Sequence, residues 1–326
     1  MSDDTDIDVL VTEDEAFGAI AEGILSAVER NRAGEWEMPW GGFAARPTNA
    51  FSGKEFAGQN TLSLWAAAKK RGYTVHLWAP PKQWGGKGGG IRPGETGTEI
   101  LVPVFDEEST EGVRHWDRNT KGIAKKLGPI GGDPEGGVIR PVIGFRKEFW
   151  FNAHQVDGLD LDPPPPPDPT EAALRVERTL AAWRAAGGPA LVHGGMRACW
   201  MPSTDRIQMP PKQAYRRRGG AGAYEYYVQV LGHEHMHATG SKSRIGRDMT
   251  GSFGSVKYAQ EELVAELGTS FLCARFGLPA VLLEHSAAYV KSWMGAMSDK
   301  KQRKAFFRAV REAEKAVSLI LVQADA

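Results

Sequence analysis

The chain has 326 residues, more than one domain usually needs, so two domains are expected. The charges of its 40 basic and 40 acidic residues cancel, so the protein has no net charge that would attract nucleic acid. Any such attraction must come from local clusters of basic residues. No stretch is long and apolar enough to cross a bilayer, the acidic first residues contain no signal peptide, and the two cysteines fit buried free thiols, so a cytoplasmic protein without a membrane partner is expected.

The N-terminal half is predicted to mix helices with short strands. An amphipathic helix is expected at about 15–31 and a second helix at 61–71, with Asn60 as its N-cap and Gly72 as its end. Strands are expected at 74–78 and 99–105.

Residues 40–99 carry a local excess of positive charge. Eight basic and three acidic residues give this window a net charge of +5, and aromatic side chains lie between the cations. That mixture suits a single-stranded nucleic acid, because phosphates attract Lys and Arg while unstacked bases rest on aromatic rings. The alternative is that most of these aromatic residues form the core.

A proline-rich run at 162–169 separates the two halves. Its sequence DPPPPPDP fits a polyproline II spacer, which neither a helix nor a sheet can absorb; a ligand for a proline-binding partner domain is the alternative. The predicted organisation is an N-terminal domain over 1–160, a linker over 161–170 and a second domain over 171–326.

The second half contains the most informative motif of the chain, His233-Glu234-x-x-His237. A helix is expected at about 223–239, because apolar residues recur there at helical spacing. The two histidines then lie one turn apart on one face, where both can bind a single Zn²⁺ ion, while Glu234 serves as general base. His235 points away from that face and is expected at the surface or in packing.

A catalytic zinc site needs a third protein ligand, and the next predicted helix, at 256–276, offers one. A carboxylate on the apolar face of a helix is costly unless it is paired or binds a metal. Glu262 is therefore predicted as the third ligand and Glu266 as the acceptor that holds a ligand histidine by its other ring N–H. Glu261 is the alternative third ligand. The alternative for the whole cluster is a set of satisfied polar groups at a helix–helix seam.

Further elements complete the second half. Two short strands are expected around a turn at 203–205, ahead of the motif helix, and amphipathic helices at 281–297 and 298–322. Basic clusters at 212–218 and 300–304 fit a solvated surface or a contact with nucleic acid or an acidic substrate. Candidates for the donor that stabilises an oxyanion, by proximity in sequence only, are Tyr227, Tyr258 and Arg244.

Two ordered patterns resemble one known family. In the second half, Tyr226-Tyr227, the histidine motif and the run from Glu261 to Gly268 are similar to the metallopeptidase domain of ArdC-type antirestriction proteins. In the first half, Asn49-x-x-Ser52-Gly53-Lys54-x-Phe56-x-Gly58-x-Asn60 and Phe151-Asn152-x-x-Gln155-Val156 resemble the N-terminal domain of the same family, which binds single-stranded DNA.

The resemblance implies an α+β fold in both halves, with a DNA-binding domain followed by a zincin-like peptidase domain. It implies that the strand ahead of the motif helix pairs with an extended peptide substrate, the alternative being a plain structural hairpin. The residues predicted to contact DNA are Lys54, Lys69, Lys70, Arg71, Lys82, Trp84 and Arg92.

The predicted function is that of an antirestriction protein of a mobile element, which binds single-stranded DNA and carries a Zn²⁺-dependent peptidase site. Its predicted partners are single-stranded DNA and a restriction enzyme or another protein as substrate. The alternative is a non-proteolytic protein that occludes DNA and in which zinc is structural.

Overall fold

A computed structural model of the chain describes residues 42–105, 142–161, 166–252, 255–281 and 299–324, together with residue 21. Both halves combine helices with a sheet, so the predicted α+β class is confirmed. None of the helices in this described part is long and apolar enough to span a bilayer.

The N-terminal half is built around one helix, α1 (Gln59–Arg71), which buries one side of its surface. It ends at Gly72, whose left-handed conformation (φ 70°) lets its N–H bond back to the last turn, as predicted. Asn60 is not the N-cap that the sequence predicts. Its side chain instead bonds both backbone groups of Leu101, at 2.8 and 3.0 Å, so a distant strand takes the amide that would otherwise cap the helix.

Four strands form the sheet on which α1 packs. They are β1 (Thr48–Asn49), β2 (Leu77–Ala79), β4 (Thr98–Phe105) and β5 (Val142–Asn152). Their order in the sheet is β1-β2-β5-β4, with β1 parallel to β2 and the other neighbours antiparallel. One face of this sheet and α1 share a small core made of Leu64, Ala68, Trp78, Ile100 and Trp150.

The other face of the sheet is partly covered by three short elements. They are the helix α2 (Pro81–Gly86) and the paired strands β3 (Gly90–Ile91) and β6 (Val156–Asp157).

The strand predicted at 74–78 begins three residues later, at Leu77, whereas the one predicted at 99–105 is confirmed as β4. The helices predicted at 15–31 and 281–297 lie outside the described residues, except for residue 21, which is helical and buried, and residue 281, which is not helical.

In the described part of the C-terminal half, four α-helices lie beside three strands. Strand β9 (Arg206–Met209) is central, parallel to β7 (Ala190–His193) and antiparallel to the edge strand β8 (Cys199–Met201). The helices are α3 (Pro169–Ala185), α4 (Ala223–Thr239), α5 (Val256–Phe276) and α6 (Lys300–Ala324).

The predicted ends of α4 and α5 are confirmed, and those of α5 depend on local capping. The Ser255 hydroxyl accepts the N–H of Tyr258 at the start of α5, and Gly277 ends that helix with φ 85°. The predicted last helix is found two residues later at each end, as α6.

The two halves are joined by packing as well as by chain. Part of the predicted linker, residues 162–165, lies outside the described residues, and Asp168 and Pro169 already form the N-cap and first residue of α3. The ring of Trp65 from α1 lies 5.9 Å from that of Phe271 in α5, within a core that both halves share.

Candidate metal centre

Helix α4 brings the two motif histidines together at the centre of the C-terminal half. Their Nε2 atoms lie 3.1 Å apart, and their rings are nearly perpendicular, with centroids 4.7 Å apart. His233 is fully buried. If both imidazoles carry their proton on Nδ1, the two Nε2 lone pairs face each other and repel, unless a proton or a metal ion lies between them.

Glu262 on α5 supplies the third donor. Its carboxylate oxygens lie 3.4 Å from Nε2 of His233 and 3.6 Å from Nε2 of His237. Metal–ligand bonds of about 2.0–2.1 Å in a tetrahedron place ligand atoms roughly 3.3 Å apart, so two imidazoles and one carboxylate at these distances fit a zinc ion. Within the described residues this is the group of His, Cys and acidic side chains that satisfies such spacing, with ligand atoms within 4.8 Å of one another.

The surroundings of the three donors favour a cation. Burial opposes ionisation of Glu262, but hydrogen bonds from His233 and Tyr258 and the nearby His237 outweigh it and lower the pKa of Glu262 to about 2. Burial also disfavours a charged His233, yet Glu262, Glu266 and Glu234 raise the pKa of its imidazole to about 10. A site that holds carboxylates around buried imidazoles in this way binds positive charge.

Each motif histidine has a carboxylate behind its ring. Glu266 lies 3.6 Å from Nδ1 of His233, where the sequence predicts a supporting acceptor. Glu261 lies 3.1 Å from Nδ1 of His237 and is held in turn by two bonds from Arg247, at 2.7 and 2.9 Å. Glu261 therefore sits on the side of His237 away from the site, so the geometry favours Glu262 over Glu261 as the ligand and gives Glu261 a supporting position.

Glu234 faces strand β8, and its Oε2 accepts the backbone N–H of Trp200 at 2.8 Å. The same tryptophan donates its indole N–H to Asp205, at 3.1 Å. Arg244 bonds both oxygens of Asp205, at 2.9 and 2.5 Å, and also Ala238 O near the end of α4. Two sets of hydrogen bonds thus connect the hairpin of β8 and β9 to the motif helix α4, one from Trp200 to Glu234 and one through Arg244.

A cleft of about 860 Å³ opens over these groups. Its floor holds the three donors and Glu234, and one wall is the edge strand β8 with the residues before it. Cys199 lines this wall and is only half-buried, which corrects its prediction as a buried thiol; Cys273 is buried, and both are free.

The three candidates for the oxyanion donor take different positions. Tyr258 lines the cleft and donates a hydrogen bond to Glu262. Tyr227 is buried, with its hydroxyl 2.9 Å from His193, and Arg244 is committed to Asp205. Tyr258 is the one of the three that lies in the cleft.

His235 has the packing role that the sequence offers as one of two options, since it is fully buried. Its Nδ1 lies 2.7 Å from Leu231 O and its Nε2 lies 3.1 Å from Arg184. Burial lowers the pKa of its imidazole to about 3.

The residues predicted to contact DNA lie on several segments of the N-terminal half. Lys69, Lys70 and Arg71 share the last turn of α1, and Arg71 donates to Thr96 O at 2.7 Å. Arg92 pairs with Glu95 and Asp157, at 3.2 and 3.4 Å. Lys54 and Lys82 are exposed on separate segments.

Trp84 is wrong as a base-stacking residue, because its side chain is 0% exposed and its indole N–H donates to Phe151 O at 3.1 Å. It is the one bulky apolar side chain of the short helix α2 and fills the small core under that helix.

A different aromatic residue, which the sequence did not single out, faces solvent. Phe149 on β5 is 56% exposed and lies against Gly97, next to the Thr96 that Arg71 binds. Nearby, Tyr73 stacks on His154, with centroids 5.5 Å apart. In the run Phe149-Trp150-Phe151 successive side chains point to opposite faces of the strand. The sequence does not indicate which of these faces another layer of the protein covers.

Comparison with known proteins gives matches over both halves. Residues 177–312 match the family model of a zincin-like metallopeptidase, and residues 15–127 match that of the N-terminal domain of anti-restriction factor ArdC. The chain is 33% identical over 307 residues to the uncharacterized protein y4eC of Sinorhizobium fredii, covering 93% of this chain and 90% of that protein.

Two further similarities are to a longer protein and to a protein of known structure. A DNA primase TraC of Escherichia coli is 35% identical over 312 residues, and the chain spans 26% of that primase. The crystal structure of Antirestriction ArdC protein from R388 plasmid, in its Mn(II)-bound form, has a TM-score of 0.63 and 28% identity and covers 94% of this chain and 97% of that one. Its metal-free structure gives a TM-score of 0.64.

Proposed function

The chain belongs to the ArdC antirestriction family, and from this premise we propose that it is a zinc-dependent peptidase of a mobile element that also binds single-stranded DNA. The observation that carries the peptidase part is the convergence of His233, His237 and Glu262 beside Glu234, in an open cleft. The Mn(II)-bound state of the R388 relative supports a divalent ion in such a site.

His233, His237 and Glu262 would hold the zinc ion, which when bound supplies a Lewis acid for a peptide carbonyl and lowers the pKa of a water molecule. Glu234 acts as the general base. Its Oε2 is occupied by the Trp200 N–H, which leaves Oε1 to take a proton from the attacking water and pass it to the leaving amine. Tyr258 is the proposed donor to the oxyanion, since it lies in the cleft; its single O–H would turn from Glu262 to the oxyanion.

Strand β8 is the proposed seat of the peptide. Among the described residues it is the edge of its sheet, so one side of its backbone has no strand neighbour there and, apart from the Trp200 N–H that Glu234 accepts, can pair with an extended segment. The carbonyl of the peptide bond to be cleaved would then lie over the floor of the cleft, which holds Glu234. A restriction enzyme or another protein is the proposed substrate.

The DNA-binding part of the proposal rests on Phe149 and on the cations at the end of α1, which lie on opposite faces of the sheet and are linked through Thr96 and Gly97. Phe149 offers an exposed ring for a base, Lys69 and Lys70 lie in the last turn of α1, and Arg71 ties that turn to the residue beside Gly97. An exposed aromatic ring near cations fits a single strand, whose bases are free to stack. Phe149 therefore replaces Trp84 as the proposed stacking residue.

Glu234→Gln tests the peptidase part, because glutamine keeps the shape and the bond from Trp200 but takes no proton. We expect unchanged folding and zinc content, measured by thermal unfolding and metal analysis, together with loss of protection in a restriction assay in cells. If Glu234→Gln protects DNA as well as the wild type, the protein works by occlusion and zinc is structural.

A further inference from the structure

The outer face of α6 is lined by positive charge. Five of its cations are exposed and Lys315 is half-buried, whereas Phe306, Phe307 and Val310 turn toward the core. We call this face the basic stripe, and its residues are Lys300, Lys301, Lys304, Arg308, Arg311 and Lys315.

The stripe is continuous along the helix. At 100° per residue its members fall within an arc of about 100°, and at 1.5 Å per residue they extend over about 22 Å. One strand of DNA carries a charge every 3.4 Å or so along the axis, so the stripe matches roughly six phosphates. No aromatic side chain of α6 is exposed on this arc, which leaves a contact with phosphate rather than with bases.

The cations of the stripe recur at the spacing of one helical turn. Lys300 and Lys304 are four residues apart, as are Arg311 and Lys315, so each pair lies on one face of the helix. The first turn contains no acidic residue, although carboxylates are favoured there. The carboxylates within α6 are Glu312, which pairs with Lys315 at 2.8 Å, and Glu314, which is buried. Because the whole chain is neutral, the stripe is a local concentration of charge and not the result of a basic composition.

The C-terminal part of α6 packs against the N-terminal half. Glu314, next to Lys315 in the chain, accepts the backbone N–H of Gly58 at 2.8 Å, and Gly58 directly precedes α1. A strand that follows the stripe toward its C-terminal end therefore arrives at the half that carries Phe149.

We propose that the basic stripe is a second DNA contact, on the zincin-like half, which binds the phosphate backbone of the strand without reading its sequence. This inference rests on the proposed DNA binding of the chain and extends it beyond the N-terminal half. Its ligand is a polyanion whose regularly spaced phosphates match the row of cations along α6.

Matched variants separate position from net charge. The stripe variant carries Lys304→Gln, Arg308→Gln and Arg311→Gln, which remove three charges but keep good helix formers. The control variant removes three exposed cations of the same half that lie off the stripe, by Arg178→Gln, Arg206→Gln and Lys242→Gln. A third variant, with Lys304→Arg, Arg308→Lys and Arg311→Lys, keeps the charge of the stripe.

Binding of a labelled 30-residue oligo-dT to the full chain is measured between 50 and 200 mM salt, after thermal unfolding has shown that each variant is folded. We expect the stripe variant to lose at least about tenfold in affinity and its salt slope to become shallower by about 2, since each phosphate contact on a single strand contributes roughly 0.7. The control and charge-retaining variants should bind within about twofold of the wild type.

A stripe variant that binds like the control overturns the inference and leaves the proposed function intact. A wild-type chain that does not bind oligo-dT overturns the proposed DNA binding and the stripe together. Equal losses in the stripe and control variants would show that net charge, and not this face, attracts the strand, and would also overturn the inference.

Discussion

At the scale of single residues, the positions around the two histidines differ in how far the sequence could assign them. The spacing of His233, Glu234 and His237 is local, so one helical turn determines which side chains share a face. Glu261 and Glu262 are neighbours that point about 100° apart, and the choice between them depends on how α5 is rotated against α4. No local signal records that rotation, and Arg247, which holds Glu261, lies 14 residues away in the chain.

Arg247→Gln should weaken zinc binding without touching a proposed ligand. Arg247 holds Glu261, and Glu261 holds Nδ1 of His237, so the variant frees the imidazole to rotate. Loss of such an outer partner usually lowers metal affinity about 10–100-fold. The measurement is a competition titration against a chromophoric zinc chelator.

Thr239→Val is the control for that experiment. Arg247 also bonds the Thr239 hydroxyl, at 2.8 Å, and this variant removes that bond while leaving the pair with Glu261 in place. Its zinc affinity should match the wild type. A folded Arg247→Gln protein that binds zinc as tightly as the wild type would rule out the supporting role of Glu261.

At the scale of elements, the sequence predicts what local chemistry determines and fails where a distant partner decides. Helix α5 begins and ends at its caps, Ser255 and Gly277. Asn60 is an equally plausible cap in sequence, but Leu101, 41 residues away, takes its amide. Trp84 is buried for the same reason, because the residues that cover α2 come from distant strands, β3 and β6.

Phe149→Ala should lower single-stranded DNA affinity and hardly change stability. A stacked base contributes about 1–3 kcal/mol, which corresponds to roughly 5–150-fold in affinity, while an exposed ring adds little to the core. Trp84→Ala should have the opposite effect, a loss of about 3–5 kcal/mol of unfolding free energy. Oligo-dT binding and urea unfolding of both variants distinguish the two roles. Unchanged binding by Phe149→Ala would remove this residue from the proposed DNA contacts.

At the scale of the whole molecule, the two halves behave as one packed body across the proline-rich run. Trp65 and Phe271 share a core, and Arg46 of the first half forms a buried ion pair with Glu314 of α6. The proline run predicts a spacer because it resists helix and sheet, but it carries no information about what the flanking segments bury. Deleting the first half would thus expose core on the second, and point variants are the sharper way to separate their functions.

Glu314→Ala should destabilise the joint between the halves. The side chains of Arg46 and Glu314 are only 7% and 10% exposed, and removing one partner leaves the other charge buried. Such a loss usually costs about 3–5 kcal/mol of unfolding free energy, whereas Arg46→Met combined with Glu314→Gln removes both charges and should recover much of it.

Hydrogen exchange, followed separately in α1 and α5, is the measurement for this prediction. In the wild type the two helices should open with similar free energies, because one core holds them, and in Glu314→Ala protection should fall first in α1, which has the smaller core of its own. Independent opening of the two helices already in the wild type would contradict a single packed body.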